Sequence, residues 1–296
     1  MTLYPSVSIG LAVRNGEKYL CQALDTLIAQ NYIDFELLVS NNASTDRTQE
    51  ICQQYSAKDH RIRYLRNKDD IGAIENFNLV FNRSRGRYFM WAGHDDYRSP
   101  EYIRTCVEAL TASDKIVLAG TYCDCIDDQG NLVLLDKSMS TVGMDAPHRF
   151  MRYKQSLHDY NKHRGGIFYG LYRTDTLHYA MPLQKVITTD QDMMLRLCFL
   201  GEFVTVPERL LTRRMRGPSN SSGSLKGLAD NYKISNPLLI YGAYISREYN
   251  IDRTIVNAGL KLPEKARLML WSLLHTITSV STRVLSLLVR GLGKKW

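Results

Sequence analysis

The first 125 residues alternate strand and helix signals at a spacing that leaves few folds open. Val7-Ser8-Ile9-Gly10-Leu11-Ala12-Val13 is a short apolar run, after which Tyr19, Leu20, Ala23, Leu24, Leu27 and Ile28 recur at helical spacing. Phe35 to Val39 repeats the strand pattern, Ser44-Thr45-Asp46 supplies N-cap chemistry, and a helix is predicted through Ile51 to Tyr55. Ile62 to Leu65 is a third strand, with Phe77, Val80 and Phe81 on the helix that follows it. Tyr88 to Ala92 is a fourth, and Ser99-Pro100-Glu101 opens another helix with Pro at its first position. Repeated β-α units of this size predict an α/β fold with a doubly wound, mostly parallel sheet. Ligands of such sheets bind outside the carboxyl ends of the strands.

Past residue 125 the pattern changes. Asp127-Asp128-Gln129-Gly130-Asn131 is turn chemistry between strand-like runs and predicts an antiparallel hairpin. The stretch from Ser138 to Arg164 is polar and mixed in period, as a mobile substrate loop would be, and Thr189 to Leu200 reads as a helix. Arg213, Arg214 and Arg216 form a basic cluster before a small-residue loop from Gly217 to Gly223. A helical extension is predicted over 226–296. Its tail carries Leu270, Leu273, Leu274, Ile277, Val280, Val284, Leu287 and Leu288 on one stripe. The uncharged part, Leu268 to Thr282, falls short of the ~20 apolar residues of a membrane-spanning helix. Two readings stay open for it, a helix packed on the protein or an in-plane helix on a membrane, the latter aided by Arg283, Arg290, Lys294, Lys295 and Trp296.

Charge divides the chain. Residues 1–130 carry 14 Lys and Arg against 18 Asp and Glu, a net −4, and residues 131–296 carry 24 against 12, a net +12. A basic half suits a phosphate-bearing substrate or an anionic membrane. Nucleic acid is excluded as a partner, because the interleaved aromatics and fold motifs it needs are missing. Met1 to Pro5 runs directly into a strand without a secretory pattern, so the expected compartment is the cytoplasm, with peripheral contact at the inner membrane face. The six cysteines include no CxxC pair and are expected to be reduced thiols.

Asp95 and Asp96 directly follow the apolar Tyr88 to Ala92 run. Two acids at a strand's carboxyl end can hold Mg²⁺ or Mn²⁺ with a substrate's phosphates completing the shell. Adjacent acids there are also common as a solvated turn or helix cap, and the surrounding motifs decide between the two.

Three motifs stand in order: Arg14-Asn15-Gly16-Glu17-Lys18-Tyr19-Leu20 after the first strand, Ser40-Asn41-Asn42-Ala43-Ser44-Thr45-Asp46 after the second, and Ile71-Gly72-Ala73 with Asn76, then Gly86 to Asp96. Together they resemble the inverting family 2 glycosyltransferases of GT-A fold, closely over residues 5–125 and loosely to about 220. The resemblance implies a GT-A-like domain over 1–225, with a nucleotide-sugar half (1–125) and an acceptor and base half (126–225). It also implies a nucleoside-diphosphate-sugar donor, UDP foremost, and a Mn²⁺ or Mg²⁺ cofactor. The acceptor would be a glycan or lipid-diphosphate-linked hydroxyl in bacterial surface polysaccharide synthesis. Ala12, Arg14, Asn42 and Asp70 are placed to line the base pocket, Asn42 as acceptor for the N3 proton of uracil. Asp95 matches the last acid of the family's Asp-x-Asp and is the expected metal ligand, with Asp96 beside it. Gly93 stands where the first acid usually does, and His94 is the expected substitute for its ribose contact. Asp190, in Thr189-Asp190-Gln191-Asp192, matches the catalytic base; Asp192, two residues on, is read as structural. Arg214 and Arg216 are expected on the diphosphate, with Arg216 at the family's usual His. The departures at Asn41, Gly93 and Arg216 also admit a binding protein that keeps the sheet and has lost the chemistry.

Overall fold

The computed structural model describes residues 4–157, 165–185, 189–215 and 252–274. Four strands, β1 (Val7–Val13), β2 (Phe35–Asn41), β3 (Ile62–Arg66) and β4 (Tyr88–Ala92), form parallel ladders in the order β3-β2-β1-β4. β1, β2 and β4 are buried along their length apart from the half-buried Ala12, so both faces must be covered, and their apolar runs reflect that. The helices α1 (Leu20–Ile28), α2 (Thr48–Lys58), α3 (Ala73–Asn82) and α4 (Tyr102–Thr111) supply the cover, α1 through Leu20, Ala23, Leu24 and Leu27.

The sheet continues through β8 (Leu171–Arg173), β6 (Ile116–Ile126) and β9 (Glu202–Arg214), closing on the two-residue β5 (Tyr97–Arg98). β8 runs antiparallel to both β4 and β6, and β9 runs parallel to β6. The six strands of five residues or more other than β7 (Leu132–Asp136) therefore point one way. β7 pairs with β6 as the predicted hairpin, with Gly130 at φ 90° and the Asp127 carboxylate accepting from the Gln129 and Asn131 amides.

Two apolar cores flank the sheet. One joins Ile9, Leu11, Leu24, Leu37 and Ile103; the other is aromatic and centres on Trp91, which stacks on Phe168 at 5.0 Å with an interplanar angle of 7°. The second core is built largely by elements from the later half: α5 (Ala146–Ser156), the 3₁₀ turn Gly166–Tyr169, α6 (Thr174–Ala180) and α7 (Thr189–Leu197). α5 corrects the expectation of a mobile loop over Ser138 to Arg164. Asp145 caps it by accepting from His148 N–H at 2.9 Å, Pro147 sits in its first turn, and Phe150 and Tyr153 anchor it. The extension contributes helical residues 252–257 and 262–274, whose Ile255 and Leu268 enter the second core.

Candidate active site

Parallel register brings distant motifs together. Residues that follow β1, β2, β3 and β4 are Arg14, Asn42, Asn67 and Gly93, and these line one edge of the sheet. β9 shares that direction, so Arg213 and Arg214 reach the same edge.

The loops after β1 and β2 are stitched by side chains. Asn15 N–H donates to Ser44 Oγ at 2.9 Å, Gly16 N–H to Thr48 Oγ1 at 2.8 Å and Glu17 N–H to Asp46 Oδ2 at 3.1 Å. Asn15 Oδ1 accepts from Thr45 N–H, and Asn41 Oδ1 accepts from Ser44 N–H. These bonds explain the polar residues of the two motifs, since each satisfies a backbone donor in a loop that makes no ladder. Asp46 Oδ1 also accepts from Thr48 N–H. Burial alone would raise the Asp46 carboxyl, but the Thr48 hydroxyl and the Glu17 and Thr48 amides outweigh it and hold the group below its ordinary 3.8. A lowered folded value means that the contribution is present above the unfolded value and lost as pH falls through the folded one. Asp46→Asn is expected to lower stability by about 1 kcal/mol at neutral pH and to narrow the gap to wild type in acid, as read by denaturant melts.

Three of the four residues expected at a base pocket, Arg14, Asn42 and Asp70, are in contact. Asp70 accepts from Asn42 Nδ2 at 2.7 Å and pairs with Arg14 at 3.3 Å. Asn42 is 2% exposed, and its Oδ1 already accepts from Asn67 Nδ2 and Ile71 N–H, both at 3.0 Å. Both ends of the Asn42 amide are thus engaged within the protein, its nitrogen on Asp70 and its oxygen on the segment after β3. The Asp70 carboxylate, 23% exposed, is the outward acceptor of the pair. Ala12, in β1 opposite Ser40, is half-buried one residue before the strand's end.

The acid pair divides sharply. Asp95 is half-buried at the sheet edge, whereas Asp96 is 3% exposed and turned inward. Its Oδ2 lies 3.7 Å from Arg213 Nε, and its Oδ1 accepts from Arg214 N–H at 3.3 Å. A Cβ at Gly93 would stand 2.4 Å from Asp96 Oδ2 and 2.8 Å from Asp96 Cγ. Gly93 is thus the vacancy into which the Asp96 carboxylate folds, which places Asp96 behind Asp95 as a supporting acid. Burial pushes the Asp96 carboxyl up to about 6 against the pull of Arg213, with Asp95 adding to the rise. Gly93→Ala is expected to cost ~1–3 kcal/mol by forcing the carboxylate off Arg213, and most of that cost should vanish in an Asp96→Ala background; thermal melts of the four-member cycle read the coupling.

Three features lay beyond the sequence reading. The Arg213 guanidinium lies 4.3 Å above the Tyr169 ring while pairing with Asp96. Tyr169 is half-buried, and its hydroxyl is pushed up to about 12 by burial, opposed by Arg213 and reinforced by Asp96, Asp95 and Asp190. One phenol therefore lies within electrostatic reach of the acids from β4's end and the acid from α7's first turn. Arg98, 3% exposed, donates Nη2 to Trp91 O at 3.0 Å and adds a second buried cation near Asp96. Tyr169 and Arg98 carry no local motif, and Arg213, although part of the basic cluster, meets partners that are distant in sequence.

His94 packs its ring against Gly16, where a Cβ would stand 2.9 Å from His94 Cδ2. Arg214, expected on the diphosphate, donates Nη1 to Asp127 O at 2.8 Å and Nη2 to the Tyr97 hydroxyl, with its guanidinium 4.3 Å over the Tyr19 ring. Asp190 is half-buried in the first turn of α7, and Asp192 pairs with Arg196 at 3.0 Å in the structural role expected of it. Arg216 and the Gly217 to Gly223 loop lie outside the described residues. Among the described residues no three His, Cys, Asp or Glu side chains gather as a cation cage. A divalent ion at this edge would have Asp95 as its protein carboxylate, and the donor's phosphates and water would complete the shell, an arrangement ordinary for Mg²⁺.

Residues 8–177, more than half of the chain, match the family described as Glycosyl transferase family 2. The chain belongs to glycosyltransferase family 2. Relatives of this family 2 chain include an uncharacterized glycosyltransferase of Haemophilus influenzae, 32% identical over 122 residues, which are 41% of this chain and 38% of that one. Glycosyltransferase GlyA of Streptococcus pneumoniae is 29% identical over 130 residues, 44% of this chain and 18% of that one. The matches thus span well under two thirds of these relatives' length. Among solved structures, S. aureus TarS 1-349 in complex with UDP-GlcNAc superposes with a TM-score of 0.64 at 16% identity, covering 90% of this chain and 71% of that one. The mannosyltransferase PcManGT from Pyrobaculum calidifontis, in complex with GDP-Man and Mn²⁺, gives 0.55 at 14%, covering 100% and 89%. At these identities the structures show that this chain shares their GT-A-like α/β fold.

Proposed function

We propose that this glycosyltransferase inverts configuration as it moves a hexosyl group from a UDP-sugar to a glycan or lipid-diphosphate-linked hydroxyl, with Mn²⁺ or Mg²⁺ at Asp95. The observation that carries the reading is the family 2 match over residues 8–177 on a sheet whose carboxyl edge gathers Arg14, Asn42 and Asp70 and holds the half-buried Asp95. In the proposed reaction the acceptor oxygen attacks the anomeric carbon, the bond from that carbon to the diphosphate oxygen breaks, and Asp190 takes the acceptor's proton. A bound cation would offset charge on the leaving diphosphate. Ala12, Arg14 and Asp70 frame the base with Asn42 behind them, His94 approaches the ribose, and Arg216 joins the diphosphate. Arg213 and Arg98 hold Asp96 inward, which leaves Asp95 to face the donor.

The proposed division is a donor half over 1–125, an acceptor and base half over 126–225, and a helical extension over 226–296. TarS was solved with UDP and with UDP-GlcNAc, and PcManGT with GDP-Man and Mn²⁺; these complexes support a nucleotide-sugar and a divalent ion as the first things to try. A screen of UDP-, dTDP- and GDP-sugars with Mn²⁺, reading released nucleoside diphosphate, tests the proposal. The expected result is release from a UDP-sugar at a rate well above the others; no release from any donor would refute it.

A further inference from the structure

The helix over 262–274 is turned inside out relative to an ordinary surface helix. Its inward side carries Leu268 at 2% exposure, the partly buried Trp271 and Ser272 at 1%. The Ser272 hydroxyl accepts from the Lys154 ammonium at 2.6 Å, so even the docked face is part polar. The outward side carries Ala266, Met269, Leu270 and Leu273, at the i, i+3, i+4, i+7 spacing of a single stripe. Met269, Leu270 and Leu273 are 37%, 59% and 58% exposed. Of the expected stripe, Leu270, Leu273 and Leu274 lie within the described residues, and they face away from the core. A surface helix ordinarily buries its apolar side, and three large apolar residues in one stripe mark an interaction face.

Charge identifies what covers it. From Lys261 on, the sequence carries seven cations, Lys261, Lys265, Arg267, Arg283, Arg290, Lys294 and Lys295, against the single acid Glu264, and Lys265 turns back to donate to Val256 O at 2.6 Å. Arg267 is exposed beside the stripe. A second copy of this chain would bring the same excess of positive charge to the contact, which opposes self-association through this face. An anionic lipid surface complements both features, taking the stripe into its acyl boundary and the cations at its headgroups. No helix among the described residues is long and apolar enough to cross a membrane.

We infer that the outward face of helix 262–274, through Met269, Leu270 and Leu273, docks in the plane of an anionic phospholipid bilayer. This deepens the lipid-linked acceptor of the proposed function, since it would hold the sheet edge near a membrane-borne substrate, but it does not depend on the transfer chemistry. The inward contacts of Leu268 and Ser272 remain made in the docked state, so docking needs no unfolding of the extension.

The test is flotation of the full chain with vesicles of phosphatidylcholine alone or mixed with phosphatidylglycerol. Wild type is expected to float with the mixed vesicles, less so at high salt, and to remain below with phosphatidylcholine alone. Leu270→Gln with Leu273→Gln, both exposed and helix-compatible, should weaken binding by roughly tenfold to a hundredfold while the melting curve stays unchanged. Arg267→Gln should weaken it less and reduce the salt dependence. Equal flotation of wild type and the double variant, equal binding to both lipid compositions, or no flotation at all would overturn the inference. Concentration-dependent self-association lost in the double variant, without vesicle binding, would also overturn it and assign the face to a second copy. Nucleotide release in lipid-free solution, measured on the same samples, separates failure of this inference from failure of the glycosyltransferase reading.

Discussion

Asp190→Asn should reduce transfer by about 10²–10⁴-fold while leaving UDP-sugar affinity within about twofold of wild type. Asn keeps the size and hydrogen-bonding reach of the side chain but cannot take a proton, so the loss belongs to the chemical step. Asp190 stands in the first turn of α7, on a different element from the residues that follow β1, β2 and β3 and are expected at the base. Donor binding should therefore survive its substitution. Measured kinetics should show kcat and kcat/KM falling together, the mark of an interaction made only in the transition state. Near-normal turnover in this variant would remove Asp190 from the mechanism and leave the geometry around Tyr169 without its base.

Asp95→Asn should fail differently. Removing the one outward carboxylate at β4's end takes away the charge that would hold a divalent ion, because Asp96 is committed to Arg213 and Arg98. The expected result is a loss of about 10²-fold or more in kcat/KM, partly recovered by raised Mn²⁺, with thermal stability close to wild type. Asp96→Ala should give the opposite signature. It leaves Arg213, whose side chain is 15% exposed, without its partner, and should lower stability by ~3 kcal/mol. If Asp96→Ala instead melted like wild type and lost only Mn²⁺ affinity, the inward assignment of its carboxylate would be wrong.

Much of the donor half was legible because its signals are local. Apolar runs gave β1 to β4, turn residues gave the β6–β7 hairpin, and short-range polar residues such as Asn15, Ser44 and Asp46 gave the two loops whose bonds fix the sheet edge. α5 was legible too, in Asp145 and Pro147, but the polar surface of the surrounding stretch masked it. The site's inner layer was a different matter. That Asp96 folds into the space above Gly93 depends on Arg213, which is far along the chain and reaches this edge only because β9 runs parallel to β6. Tyr169 has no distinguishing neighbour in sequence and gains its setting only when Arg213 covers its ring. In the extension the stripe of Leu270 and Leu273 was plain, but which side met the core was not, since the more apolar side faces outward.

In the proposed function the carboxyl edge of this sheet binds a nucleotide-sugar through a divalent ion held at Asp95. Calorimetric titration of the wild-type chain with a UDP-sugar, with and without Mn²⁺, tests it most directly. Binding that requires Mn²⁺ is the predicted result. Binding of the same strength in chelator, or none to the UDP-, dTDP- or GDP-sugars in either condition, would contradict it.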